Sequence, residues 1–238
     1  MIALMVGGRA SRMGRGVKSI DKTKGLLELP GPEGTETIID RTLRLLKKIG
    51  AIESESDVLM CVGYKAEMVM ERYPESHFLK TYDPENPTDI LPGYLQVINE
   101  FPVEHYTFTL GDVVWSEKAL SHFMGEREKA PLVMYHGKET GYTEIFGMGV
   151  NGEAGKDLIR RAMACDSVPV VPGEIRWALK KIKRIKPKDA RTSCFEQWVD
   201  LKKLPGKLRV YQQGAVDDID WDNQHKAICS DIMKGIYG

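Results

Sequence analysis

Apolar positions along the chain fall in short blocks, and the spacing within the blocks changes from element to element. Ile2 to Val6 is a continuous apolar run ended by Gly7-Gly8. A run apolar on both faces suits a buried central strand of a parallel sheet. From Thr37 the spacing becomes helical: Ile38, Ile39, Leu43, Leu46 and Ile49 share one face, and Gly50 stops the pattern. Asp57 to Val62 (DVLMCV) predicts a second buried strand ended by Gly63, and Ala66 to Tyr73 predicts a helix closed by Pro74. His77 to Tyr82 predicts a short strand, Asp83 to Pro92 a Pro/Asn/Asp loop, and a helix follows through Tyr94, Leu95, Val97 and Ile98.

Tyr106 to Leu110 (YTFTL) predicts a strand with Gly111-Asp112 at its carboxyl end. Ser116 then offers an N-cap for a helix to about Phe123. Strands are expected at Pro131 to Tyr135, Thr143 to Val150 and Leu208 to Tyr211. Helices are expected at Lys156 to Met163, Glu174 to Ile182 and Asp222 to Ile236. Residues 9–34 show little periodicity before Leu26-Leu27-Glu28-Leu29. Strands alternating with helices argue for an α/β chain: a mostly parallel sheet with helices on both faces, a three-layer α/β/α sandwich. The ligand crevice of such a sheet lies beyond the carboxyl ends of its strands. Three features fall at strand ends: Gly7-Gly8, Gly111-Asp112 and the acidic cluster after Tyr211.

Composition narrows the partners. The 238 residues hold 34 Lys plus Arg and 34 Asp plus Glu, so the formal net charge is zero. That balance points away from nucleic acid and anionic membrane, and any phosphate binding must be local. Cys61, Cys165, Cys194 and Cys229 are scattered without a CxxC pair, as expected of free thiols in a reducing compartment. The apolar start is too short for a signal peptide and no stretch approaches a membrane span, so a cytoplasmic chain folded as one domain over residues 1–238 is expected. The five histidines show no metal-ligand spacing, and Trp115 and Trp198 are expected in the core.

The first motif with chemistry is Gly7-Gly8-Arg9-Ala10-Ser11-Arg12-Met13-Gly14. Small residues let a backbone approach phosphates closely, and the N–H groups of a glycine-rich turn form an anion nest. Arg12 offers a fork of donors for phosphate, and Lys18, Lys22 and Lys24 follow. The segment matches neither the GxxxxGK[ST] nor the GxGxxG pattern.

Taken together, GGRASRMG, then Asp21-Lys22-Thr23-Lys24-Gly25-Leu26-Leu27, then Thr37-Ile38-Ile39-Asp40-Arg41 resembles the opening of the nucleotidyltransferase superfamily. That superfamily includes sugar-phosphate nucleotidyltransferases, cytidylyltransferases of phosphorylated alcohols and molybdenum-cofactor guanylyltransferases. In the resemblance Arg12 matches the family arginine and Lys24 the family lysine, with Lys22 as the alternative; Thr23 stands where proline is usual. Val62-Gly63-Tyr64-Lys65-Ala66-Glu67, Asn86-Pro87, Leu110-Gly111-Asp112, Glu144-Ile145-Phe146-Gly147 and Asp218-Ile219-Asp220 resemble later family segments.

The resemblance implies a Rossmann-like fold of the GT-A type and transfer of an NMP unit from a nucleoside triphosphate to a small phosphorylated acceptor. Gly7, Gly8, Arg9, Ala10, Ser11 and Gly111 are the implied nucleotide-binding residues, and Glu144 is the candidate for the acceptor. The chemistry agrees, because such transfer needs in-line positioning and neutralised charge more than covalent help. Asp112 and Asp220 are the expected Mg²⁺ ligands, with Asp218 as second choice. Arg12 is expected to hold the departing pyrophosphate and Lys24 the charge growing on the α-phosphate. A sugar phosphate or phosphorylated alcohol is the favoured acceptor, and a molybdenum-cofactor-type guanylyltransferase is the nearest rival. A GT-A glycosyltransferase and a non-catalytic nucleotide-binding subunit are further alternatives. The first needs Asp-x-Asp at the end of a mid-chain strand, where this chain has Gly111-Asp112-Val113.

Overall fold

The computed structural model describes residues 1–7, 23–81, 90–136, 145–163, 207–211, 213–219 and 222–238. In chain order the first half holds β1 (Ile2–Met5), β2 (Glu28–Gly31), β3 (Gly34–Thr37), α1 (Ile38–Lys48), β4 (Val58–Val62), α2 (Ala66–Arg72), β5 (His77–Lys80) and α3 (Ile90–Glu100). The second half holds β6 (His105–Leu110), β7 (Val113–Trp115), α4 (Glu117–Glu126), β8 (Leu132–His136), β9 (Ile145–Asn151), α5 (Gly152–Met163), β10 (Lys207–Tyr211), β11 (Val216–Asp218) and α6 (Asp222–Met233).

Seven strands form one sheet in the order β10-β8-β9-β6-β1-β4-β5. Every neighbouring pair is parallel except those made by β9, which runs antiparallel to both β6 and β8. Strands β1 and β4 are buried on both faces because alternate side chains enter different apolar clusters. Ile2, Leu4, Val58, Met60 and Val62 face α1, α2 and α4, while Ala3, Leu59 and Cys61 face α3 and α5. The result is the expected α/β/α sandwich. A third, smaller cluster joins Leu27, Leu29 and Ile38 to Ile219, Ile228 and Tyr237, so the carboxyl-terminal helix packs on elements near the start of the chain.

Helix α1 starts where its sequence says it must. Asp40 N–H donates to Thr37 Oγ1 at 3.1 Å, and Thr37 N–H donates back to Asp40 Oδ2 at 2.8 Å. This capping box satisfies two backbone donors that the helix leaves open. Gly50 ends the turn after the helix at φ +70°. Arg72 and Tyr73, at the end of α2, donate to the two oxygens of Asp40 at 2.7 Å each and lock α2 to α1.

Several boundaries differ from the sequence reading. The loop expected through Pro92 ends earlier: α3 begins at Ile90 and takes Pro92 into its first turn, where no intrahelical N–H is needed. Residues 28–37 form the β2–β3 hairpin, which the pattern did not predict. The helix expected from Lys156 begins at Gly152. Asp217 and Asp218, in the acidic cluster after Tyr211, lie in β11, a strand the pattern did not predict, paired with β7. The helix expected at 174–182 and Trp198 lie outside the described residues.

Candidate active site

The order β5-β4-β1-β6 places consecutive parallel strands on opposite sides of β1. The connections from β1 through α1 to β4 and from β4 through α2 to β5 cover one face, and α3 then crosses on the other face to β6. The direction of winding reverses between β1 and β6. In open α/β sheets, ligands enter beyond the carboxyl ends of the strands at such a reversal.

The two strand ends are tied closely at this point. Gly111 N–H donates to Met5 C=O at 2.9 Å, Val6 N–H to Cys61 C=O at 2.9 Å and Tyr64 N–H to Gly7 C=O at 3.4 Å. The chain leaving β1 is thus gripped by the ends of both neighbours, β4 and β6. Glycine is required at 111, since a Cβ there would stand 2.4 Å from Val6 Cγ1 and 2.9 Å from Val6 Cα. Gly25 has the same reason: a Cβ would meet the Gly111 carbonyl at 3.0 Å and Ile39 Cδ1 at 2.8 Å. Two glycines far apart in sequence therefore let three backbone segments meet.

Lys24 stands on a 3₁₀ turn, Lys24–Leu26, closed by Leu26 N–H to Thr23 C=O at 3.1 Å and Leu27 N–H to Lys24 C=O at 3.0 Å. From there Lys24 Nζ reaches Asp112 Oδ2 at 2.7 Å, with the side chains 11% and 20% exposed. Among the described residues nothing donates to the other carboxylate oxygen of Asp112. Charged groups so placed keep part of their solvation and interact more strongly than a fully exposed pair. Thr23 holds φ −69° and ψ 145°, within the range a proline ring imposes.

The late acidic segment reaches the same place by an unforeseen route. β11 pairs antiparallel with β7, setting Asp218 opposite Val113, and Ile219 N–H donates to the Asp112 carbonyl at 3.2 Å. The backbone between Asp218 and Asp220 is thereby bonded to Asp112. Among the candidate residues Gly7, Lys24, Gly111 and Asp112 come together, with Asp218 one ladder step away. Gly8, Arg9, Ala10, Ser11, Arg12, Lys22, Glu144 and Asp220 lie outside the described residues.

Two features of the strand ends escaped the sequence reading. Lys65, after β4, adopts φ +53°, a left-handed conformation uncommon outside glycine and asparagine. A lysine gives no signal of such a turn. The Thr23 hydroxyl, donated to Val6 C=O at 3.0 Å, was hidden because its acceptor is a backbone atom. Cys61 lies in the same sheet, but burial pushes its thiol up to about 12, so it is a packing residue and not a nucleophile. Among the described residues no three His, Cys, Asp or Glu side chains gather as a metal cluster, and no helix is long and apolar enough to cross a membrane.

A strand-order reversal with a Gly-Asp strand end beside it is the arrangement of the ligand-binding open α/β sheets. A sequence profile of the MobA-like NTP transferase domain matches residues 2–215; the chain belongs to that family and is a nucleotidyltransferase. No curated protein matches it in sequence. Among solved structures it is similar to a nucleotidyl transferase (Mth528) from Methanothermobacter thermautotroptrophicus, with TM-score 0.64, 14% identity, and 98% of this chain and 97% of the other covered. It is also similar to HddC from Yersinia pseudotuberculosis complexed with GMP-PN, with TM-score 0.59, 12% identity and coverage of 97% and 98%. A third likeness is to 4-diphosphocytidyl-2C-methyl-D-erythritolsynthase from Anaerococcus prevotii, with TM-score 0.63, 9% identity and coverage of 98% and 95%.

Proposed function

We propose that the chain transfers an NMP unit from a nucleoside triphosphate to a sugar phosphate or phosphorylated alcohol, with Mg²⁺, releasing pyrophosphate. The observation that carries this reading is the Lys24–Asp112 pair, 2.7 Å apart where the strand order reverses. A cation and a carboxylate held together at that reversal are what charge-neutralised phosphoryl chemistry needs.

The residues present suit a magnesium ion. Asp112 offers a hard carboxylate oxygen that no described group donates to, and Mg²⁺ takes oxygen ligands while keeping waters and phosphate oxygens. Asp112 and Asp220 would hold it, with Asp218 as the alternative to Asp220; the bond from Ile219 to the Asp112 carbonyl supports that pairing. When bound, the ion supplies Lewis-acid polarisation and a template for phosphate oxygens.

The chain's own residues do the rest. Backbone N–H groups of Gly7, Gly8, Arg9, Ala10 and Ser11 receive the triphosphate, and Arg12 holds the departing pyrophosphate. Lys24 neutralises charge developing on the α-phosphate. Gly111, which carries no side chain, lets the nucleotide approach the strand end. Glu144 orients the acceptor. The attacking phosphate oxygen is already ionised, so no general base is needed.

Residues 1–238 are read as one domain, supported by the shared cluster of Leu29, Ile38, Ile219 and Tyr237. A nucleoside triphosphate donor supports a cytoplasmic setting. A molybdenum-cofactor-type guanylyltransferase remains the second reading, favoured by the MobA-like family description and by the GMP-PN held by HddC. The deciding experiment measures pyrophosphate release for four NTPs against sugar phosphates, phosphocholine and a molybdopterin acceptor, with and without Mg²⁺. Release from one NTP with a sugar phosphate or phosphorylated alcohol is expected. Release only with GTP and the molybdopterin supports the second reading, and silence across the panel refutes both.

A further inference from the structure

Thr23 sits at the meeting point of the β1 exit and the turn that carries Lys24. It is fully buried, and its Oγ1 donates to the Val6 carbonyl at 3.0 Å. Val6 and Thr23 are 17 residues apart in the chain, and this bond joins the end of β1 to the start of the Lys24 turn. The Thr23 carbonyl accepts from Leu26 N–H at 3.1 Å and closes the turn, and Gly25 packs under the Gly111 carbonyl. One side of the Lys24 backbone is therefore referenced to β1 and the other to the end of β6, from which Asp112 projects. A lysine side chain is long and flexible, and its tip is placed reproducibly only if its base is fixed.

We propose that Thr23 is a positioning residue for the transfer reaction: its hydroxyl fixes the backbone from which Lys24 reaches Asp112 and the donor phosphates. This rests on the nucleotidyl-transfer reading of Lys24. A small displacement of a charge-stabilising group lowers turnover steeply and leaves ground-state binding less affected. A hydroxyl that merely satisfied a buried carbonyl would weaken the fold whether or not Lys24 were present.

The test is a double-mutant cycle on the full chain, with pyrophosphate release measured on the donor and acceptor pair that the wild type uses. Thr23→Val keeps the branched shape and removes the donor; Thr23→Ser keeps the donor. Thr23→Val is expected to lower kcat about tenfold with KM for the NTP within about twofold, and Thr23→Ser to restore kcat to within about threefold. In a Lys24→Ala background, Thr23→Val is expected to change kcat by less than about twofold, because the two residues act as a unit. An equal loss in both backgrounds, or no loss in either, overturns the proposal while leaving the nucleotidyl-transfer reading intact. A wild type silent on the whole panel overturns that reading as well. Should the valine variant fail to fold, Thr23→Ala run through the same cycle gives the same decision.

Discussion

Arg41 and Glu36 form an ion pair at 3.0 Å with side chains 3% and 9% exposed, and Lys24 and Asp112 form one at 2.7 Å with side chains 11% and 20% exposed. The first has several further partners. Arg41 Nε donates to the Trp115 carbonyl, its second terminal nitrogen donates to the Tyr237 carbonyl, and Glu36 also accepts from Arg44 at 2.7 Å. These bonds tie the β2–β3 hairpin, α1, β7 and the carboxyl-terminal residues into one unit. The second pair leaves one Asp112 oxygen without a donor among the described residues and lies at the strand end where the strand order reverses. A buried charge held by several partners from its own chain is a structural fastener. A half-open pair at the strand end where the order reverses leaves an oxygen to which a ligand can attach.

The largest expected effect tests the fastener. Arg41→Ala should cost on the order of 3–5 kcal/mol of stability, since Glu36 loses a buried partner and two carbonyls lose their donor. Urea unfolding measures it; a loss under about 1 kcal/mol would make the cluster dispensable. On the other side of the comparison, Asp112→Ala should cut pyrophosphate release by at least about 10²-fold, with a much smaller change in unfolding midpoint. Near-normal turnover in that variant would remove Asp112 from the reaction.

Gly111→Ala falls between the two. Its Cβ has 2.4 Å to Val6 Cγ1, so the end of β6 must shift and carry Asp112 with it. A stability loss of about 1–3 kcal/mol is expected, together with lower turnover, and calorimetry beside the release assay separates them. The smallest effect concerns pH. Burial alone would raise the Asp40 carboxyl, but donation from Arg72, Thr37 and Tyr73 outweighs it and holds the group below the ordinary aspartate value. A depressed folded value means that this contribution is present above the ordinary carboxylate value and is lost as pH falls through the folded value. Unfolding followed from pH 5 downward should show a smaller acid-induced loss in Asp40→Asn than in wild type; identical slopes would contradict the assignment.

Legibility in the sequence followed the range of the interactions. The runs Ile2 to Val6 and Val58 to Val62 announced central strands because both faces are buried, which leaves no polar alternation. The helical spacing from Thr37 announced α1, and the capping box of Thr37 with Asp40 fixes its start. The β2–β3 hairpin was not legible: Glu28, Pro30 and Gly31 interrupt its apolar positions, and Glu36 is buried only because Arg41 and Arg44 come to meet it. The late acids Asp217, Asp218 and Asp220 stood out only as an acidic cluster after Tyr211, with no strand pattern. β11 forms because β7 offers it a partner about a hundred residues earlier in the chain, and no local pattern encodes that.

The sequence by itself determined the alternation of strands and helices, the glycine-rich break after β1 and the types of charged side chain at the strand ends. Those properties are written in residues close together, where periodicity, capping and conformational freedom act. Only the tertiary structure decided that Lys24 meets Asp112, that Ile219 bonds to the Asp112 carbonyl, and that Gly25 and Gly111 must both be small. Each of those joins segments far apart in the chain, and their meeting is set by the order in which the strands enter the sheet.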